Sequence, residues 1–368
     1  MYTEKKVIRV AKRENNRKRN YLIVNVLQGK HVPVIPSSAL KMFDNLAQKI
    51  KDTYDKEKLL LVGFAETATA IGARIATQLD CYYIQTTREV MEGVDYLFFS
   101  EAHSHATEQK LVKNDIDQII GKVNRIIFIE DEVTTGNTIK NIISLLQKEY
   151  NDCFVDFSIA SIINGMDIDV EQQFMDNRIN LHYLVKTRNS ENEKIANQYI
   201  GDGNYHICKT TNIDMEYSVN NYGGLMDARR VVHSFDYRTA CNDLWLKVKS
   251  ECKIQDFCSI LVLGTEEFMY PALYIASKLE DEGFNVRFHA TTRSPIMVDV
   301  DECYPLHERY ELRSLYCSER ITYIYDLQAY DKVYIITDSR NNDRTGLNSL
   351  LYALKQNGNE NISYIRWC

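Results

Sequence analysis

Short apolar runs recur along the chain, and each is followed by a stretch with helical spacing. Leu59-Leu60-Leu61-Val62 closes on Gly63-Phe64-Ala65-Glu66 and leads into a helix expected to reach about Leu79. Ile260-Leu261-Val262-Leu263 closes on Gly264-Thr265-Glu266-Glu267 and leads into a helix through Leu279. A second pair of runs ends in Thr86-Thr87-Arg88 and Thr291-Thr292-Arg293, and a third delivers Glu130-Asp131 and Thr337-Asp338. Helices are expected after these, over 138–148 and 346–356. Strands apolar on both faces and alternating with helices predict a mostly parallel sheet covered on both sides.

The three landmarks recur in one order at similar spacing, so the chain reads as two related α/β units. The Thr-Thr-Arg repeated at matched positions argues against coincidence. In open sheets of this kind ligands bind beyond the C-terminal strand ends, where all three landmarks fall. A less regular stretch, 165–250, carries the turn signals Gly201-Asp202-Gly203-Asn204 and Tyr222-Gly223-Gly224. A boundary near the first gives domains 1–205 and 206–368. Two strands at 6–12 and 21–27, joined by a polar turn, precede a helix over 38–50 with Ser37 or Ser38 as its cap.

Composition narrows the function classes. The 368 residues carry a net charge of −7, which argues against a general nucleic-acid binder. The one basic cluster, Lys12-Arg13 and Arg17-Lys18-Arg19, reads as a solvated hairpin tip. Nine cysteines without a C-x-x-C pair point to reduced thiols, with neither a disulfide frame nor a zinc site expected. The N-terminus has no apolar signal core, and no run approaches the ~18 apolar residues of a membrane span, so a cytoplasmic protein is expected.

The densest chemistry lies in Glu130-Asp131-Glu132-Val133-Thr134-Thr135-Gly136-Asn137-Thr138. A turn that opens a helix offers successive N–H groups and the positive end of the helix dipole to an anion. Gly136 lets the backbone close around a phosphate, and the threonine hydroxyls add donors. Ionised carboxylates cannot bind that phosphate. They suit a neutral diol, or a magnesium ion near it. A phosphorylated sugar satisfies both halves.

This stretch resembles the binding motif for 5-phosphoribosyl 1-diphosphate (PRPP) in type I phosphoribosyltransferases. The resemblance implies that Glu130 and Asp131 hold the ribose hydroxyls while Thr134, Thr135, Gly136, Asn137 and Thr138 cradle the 5-phosphate. Ala65, Glu66, Thr67, Ala68 and Thr69 stand where that family has its diphosphate loop, and Arg88 where it has a basic residue on the diphosphate. Glu101, His103 and His105, with Lys110, match a mobile lid over the reacting carbon. His103 and His105 also suggest a metal site, but no third ligand is evident. Together with Gln28-Gly29-Lys30-His31 and Thr291-Thr292-Arg293-Ser294-Pro295-Ile296, the pattern is similar to the phosphoribosyltransferases of tellurite-resistance (Ter) stress clusters. Those carry a C-terminal domain named for Thr-Arg-Ser-Pro.

The implied fold is two α/β units of the type I phosphoribosyltransferase kind, the second degenerate. The implied reaction is Mg²⁺-dependent transfer from PRPP to a small-molecule acceptor, with Arg88, Glu130 and Asp131 as the catalytic set. Magnesium would come with PRPP and contact Asp131. The resemblance also implies a nucleoside-like product made with other Ter-cluster proteins, and leaves room for a homodimer. Thr134 departs from purine-salvage relatives, which carry an aspartate there, and this disfavours hypoxanthine or guanine. The second unit has lost the acid pair and the threonine-rich turn; around Thr292, Arg293 and Ser294 it would either bind another anion or serve structure alone. A PRPP- or nucleotide-sensing regulator is the competing class. A dinucleotide enzyme is disfavoured by the lack of G-x-G-x-x-G after a strand.

Overall fold

The computed structural model describes residues 2–14, 19–99, 109–251 and 259–368. Its strands begin with β1 (Ile8–Lys12), β2 (Tyr21–Asn25), β3 (Leu59–Gly63), β4 (Tyr82–Gln85), β5 (Tyr96–Phe98) and β6 (Lys110–Val112). There follow β7 (Arg125–Val133), β8 (Asp156–Asn164), β9 (Asn180–Lys186), β10 (Asn204–Ile207), β11 (Tyr217–Tyr222) and β12 (Val232–His233). The last are β13 (Ile260–Gly264), β14 (Val286–Ala290), β15 (Glu308–Arg313), β16 (Ile321–Tyr325), β17 (Lys332–Thr337) and β18 (Ile362–Trp367).

The chain forms two compact units, both discontinuous. The first gathers Lys41–Arg188 and Met226–Ala240; the second gathers Met1–Leu40, Asn189–Leu225 and Cys241–Cys368. This differs from the contiguous division at 205/206. In the second unit, Ala11, Leu22 and Val24 of the β1–β2 hairpin share a buried cluster with Ile296, Val298, Leu306 and Tyr325. The Met297 N–H also bonds the Lys12 carbonyl at 2.9 Å. In the first unit, β12 pairs antiparallel with β4 and so closes the sheet edge.

The sheet of the first unit has the order β12-β4-β3-β7-β8-β9, parallel apart from β12. That of the second is β11-β18-β17-β13-β14, parallel throughout. Read as β14-β13-β17-β18-β11, it matches β4-β3-β7-β8-β9 place for place, so the sequence repeat is a repeat of topology. The outer strands break the chain order. β9 follows β8, whereas β11 comes before every other strand of its sheet. The hairpins β5–β6 and β15–β16 also correspond, each lying between the matched second and third sheet strands.

Burial explains why these segments fold so. β3 and β13 are buried along their whole length. The helices after them, Thr69–Gln78 and Tyr270–Asp281, are buried at most positions. Close contact in the first unit depends on missing side chains: a Cβ at Gly63 would lie 2.6 Å from the Tyr83 hydroxyl, and one at Gly72 3.1 Å from the Gly63 Cα.

Three local expectations need correction. The helix Pro36–Tyr54 begins two residues earlier than expected, with Pro36 in its first turn, where a missing N–H costs nothing. Ser37 turns instead to Glu280, giving it both N–H and hydroxyl at 2.7 Å. β7 continues to Val133, so Glu130 and Asp131 belong to the strand rather than following it. The stretch expected to be irregular includes a helix, Ile168–Asp176, and β9. The tip of the β1–β2 hairpin lies outside the described residues. Among those described, no helix is long and apolar enough to cross a membrane, and seven cysteines are free thiols.

Candidate functional site

In the first unit the C-terminal ends of β3, β4 and β7 converge. β3 ends at Gly63, whose carbonyl accepts the Thr86 N–H at 2.9 Å, and the Phe64 N–H bonds the Ile129 carbonyl at 3.0 Å. The loop that follows is held from both sides. The Ala65 N–H donates to the Thr86 hydroxyl at 2.8 Å, and the Thr69 hydroxyl donates to the Glu66 carbonyl at 3.2 Å. The Ala65–Glu66 peptide is cis. The Thr67 hydroxyl then donates to Asp131 Oδ1 at 2.8 Å. One hydrogen bond thus joins the loop after β3 to the acids of β7, although 64 residues separate the two in sequence.

The acids differ in character. Glu130, Asp131 and Glu132 are all half-buried, and alternation along a strand sends Asp131 to the face opposite the two glutamates. Burial pushes the Glu130 carboxyl well above the usual carboxylate range. Although the residue keeps some exposed surface, its carboxyl group is enclosed. The charge of Asp131 adds to that shift and that of Glu132 adds further, while the Asp131 N–H and the Arg88 guanidinium oppose it. The shift biases Glu130 toward its neutral form relative to an ordinary carboxyl.

The turn beyond β7 leads directly into a helix start. Gly136 has φ +66° and precedes the helix Asn137–Glu149, whose first turn carries no side-chain cap. A Cβ on Gly136 would sit 2.6 Å from the Phe174 ring, so both backbone conformation and space require glycine. The Asn137 N–H lies 3.4 Å from the Thr135 hydroxyl. Thr134 and Thr138 are half-buried, while Thr135 and Asn137 are exposed. Phe174, from the helix Ile168–Asp176, was not anticipated. Its position gives no sequence signal beyond being apolar, because the contact depends on how that helix packs. Behind it, the Asn164 amide and Lys186 both bond the Glu171 carboxylate, at 2.6 and 3.0 Å.

Arg88 follows β4 and is half-buried, with its charge felt at Glu130. Lys110 was expected with the lid. It is buried, its backbone pairs with that of Thr87, and its ammonium lies 4.5 Å from the centre of the Tyr96 ring. Glu101, His103 and His105 lie outside the described residues. Among the described residues no group of three His, Cys, Asp or Glu could hold a metal ion. A hard cation would find oxygen donors in Asp131 and in a bound polyphosphate, and a ligand set partly supplied by substrate is the usual one for magnesium. In the second unit the Thr292 backbone pairs with Tyr323, its hydroxyl accepts the Ser294 N–H at 3.2 Å, and Arg293 already grips the Glu266 carboxylate at 2.6 Å.

At the strand ends of this parallel sheet stand an acid pair, a glycine turn at a helix start and a pinned loop, on an α/β fold. The chain belongs to the phosphoribosyl transferase family, whose sequence profile matches residues 7–190. A second profile, the TRSP domain found C-terminal to that transferase, matches residues 234–354. Several solved structures are similar over about half the chain. Adenine phosphoribosyltransferase from Rhodothermus marinus shares 16% identity, covering 50% of this chain and 96% of its own, with a TM-score of 0.35. The Leishmania donovani enzyme shares 15%, covering 51% and 81%, with a TM-score of 0.38. The Trypanosoma brucei enzyme, in complex with AMP, pyrophosphate and ribose-5-phosphate, shares 14%, covering 49% and 76%, with a TM-score of 0.37. No curated protein matches.

Proposed function

We propose that this phosphoribosyltransferase moves the 5-phosphoribosyl group of PRPP to a small acceptor and releases diphosphate. The bond from C1 to the diphosphate oxygen breaks, the acceptor's nucleophilic atom bonds C1, and the acceptor loses a proton. The observation that carries this reading is the 2.8 Å bond from Thr67 to Asp131, which brings the expected diphosphate loop and the expected ribose-binding acid to one place.

Each residue then has a task. The turn Thr134–Thr135–Gly136–Asn137–Thr138 takes the 5-phosphate on its N–H groups and hydroxyls. Asp131 accepts a hydrogen bond from a ribose hydroxyl, and Glu130, held toward its neutral form, exchanges one with the neighbouring hydroxyl. Positive charge building on the ribose is met by the acids, and negative charge on the leaving group by Arg88 and the 65–69 loop. Magnesium, held by Asp131 and donor oxygens, would neutralise diphosphate charge. The family resemblance gives Glu101, His103 and His105 the part of a lid that keeps water from C1.

The family resemblance carries two finer proposals: the acceptor is not hypoxanthine or guanine, and the product is a nucleoside-like metabolite of a Ter-linked stress response. The test is to mix the purified enzyme with PRPP, Mg²⁺ and candidate acceptors, follow diphosphate release, and identify by mass spectrometry what is added to ribose 5-phosphate. Asp131→Asn should lower release by at least about a hundredfold with the fold intact. Near-normal turnover in that variant would overturn the assignment.

A further inference from the structure

The two units match residue by residue around the strand that ends in glycine. The Thr86 N–H bonds the Gly63 carbonyl at 2.9 Å, and the Thr291 N–H bonds the Gly264 carbonyl at 3.1 Å. The Ala65 N–H donates to the Thr86 hydroxyl at 2.8 Å, and the Glu266 N–H donates to the Thr291 hydroxyl at 3.1 Å. Thr87 bridges to Lys110 as Thr292 bridges to Tyr323, both antiparallel. Arg88 therefore corresponds to Arg293, and Ala65 to Glu266. Where the first unit has a methyl group, the second has a carboxylate.

That carboxylate is not placed as an ordinary surface acid. Glu266 is 1% exposed. Its Oε2 accepts from Arg293 Nε at 2.6 Å and from Arg320 Nη1 at 2.9 Å, and its Oε1 accepts the Ser314 hydroxyl at 2.5 Å. Lys30, fully buried, donates to the Glu266 and Thr291 carbonyls, each at 3.2 Å. Two guanidinium groups and a hydroxyl converging on two oxygens form the donor set that recognises a phosphoryl group. The backbone of Glu266 lies at φ +50°, a region that non-glycine residues rarely adopt.

We infer that Glu266 is the resident occupant of an oxyanion site in the second unit, standing where a phosphate or diphosphate group would otherwise lie. The site is complete and already filled by the chain itself. Removing the carboxylate would take from Arg293 and Arg320 the acceptor they share, leaving Arg293 with Glu267 at 3.5 Å, and that cost keeps the glutamate in place and exogenous anions out. This conclusion concerns the second unit alone and does not depend on the reaction proposed for the first.

The test uses the full chain, with inorganic diphosphate and inorganic phosphate as probes. Glu266→Gly deletes the carboxylate and suits the positive φ. Titration calorimetry should find one more diphosphate bound per chain in this variant than in the wild type, whatever number the wild type binds. Inorganic phosphate should raise the variant's melting temperature toward the wild-type value. Glu266→Gln keeps the volume, so it covers the case in which the glycine variant does not fold. It should melt below wild type and gain more degrees from either anion than wild type does. A folded glycine variant with the wild-type number of anions overturns the inference, as does a wild type that binds an anion at Arg293 with Glu266 intact. A glutamine variant with an unchanged anion response overturns it as well.

Discussion

Gly136 and Glu130 show how single residues set the properties of the first-unit site. Gly136→Ala puts a methyl group at a positive φ and against the Phe174 ring, two penalties that together amount to about 1–3 kcal/mol. Denaturant unfolding should show that loss, with PRPP binding weakened as well. Glu130 predicts a pH dependence. Its folded pKa lies well above 4.5, so the folded protein keeps a proton that the unfolded chain has lost. Stability attributable to this group is therefore present below about pH 4.5 and falls as pH rises through the folded pKa. Glu130→Gln removes the slope, so the variant should gain on wild type as pH increases; parallel urea midpoints across that range would refute this. The strand end, turn and helix start over 130–138 were legible in the sequence because they are contiguous there. The bias of Glu130 toward neutrality was not, because it arises from how the surrounding segments enclose the carboxyl.

At the scale of elements, the pairing of strand-end loops decides what a site can hold. Thr67→Val removes the hydroxyl bonded to Asp131, and a hydrogen bond to a carboxylate is worth about 1.5–3 kcal/mol. Transfer should fall by roughly ten- to a hundredfold while the fold survives. Ala65→Glu would give the first unit the carboxylate that Glu266 gives the second. Diphosphate release should then be lost while near-UV circular dichroism stays that of the wild type; unimpaired release would mean that the two loops are not equivalent. The repeat itself was readable, since β3, β7, β13 and β17 carry apolar runs that end at recognisable chemistry. β11 was not. Tyr217-Ser218-Val219-Asn220-Asn221-Tyr222 is largely polar and partly exposed at a sheet edge, and its partner β18 lies at the far end of the sequence.

At the scale of the whole molecule, chain order and spatial order part company. A cut at 205/206 severs β10 and discards the β1–β2 hairpin, whose Ala11, Leu22 and Val24 cover Ile296, Val298 and Leu306. An isolated 206–368 fragment should therefore lack cooperative unfolding and bind a hydrophobic dye, whereas the full chain unfolds cooperatively; a sharp transition in the fragment would refute this. No boundary signal in the sequence could reveal the arrangement, because Gly201-Asp202-Gly203 looks like a linker whether the flanking segments part or rejoin. The hairpin has a consequence for biosynthesis. It leaves the ribosome long before its partners near residue 296, a delay on the order of tens of seconds at ordinary elongation speeds. Until then its apolar side is uncovered, and a nascent chain stalled in that interval is the form most apt to engage a chaperone.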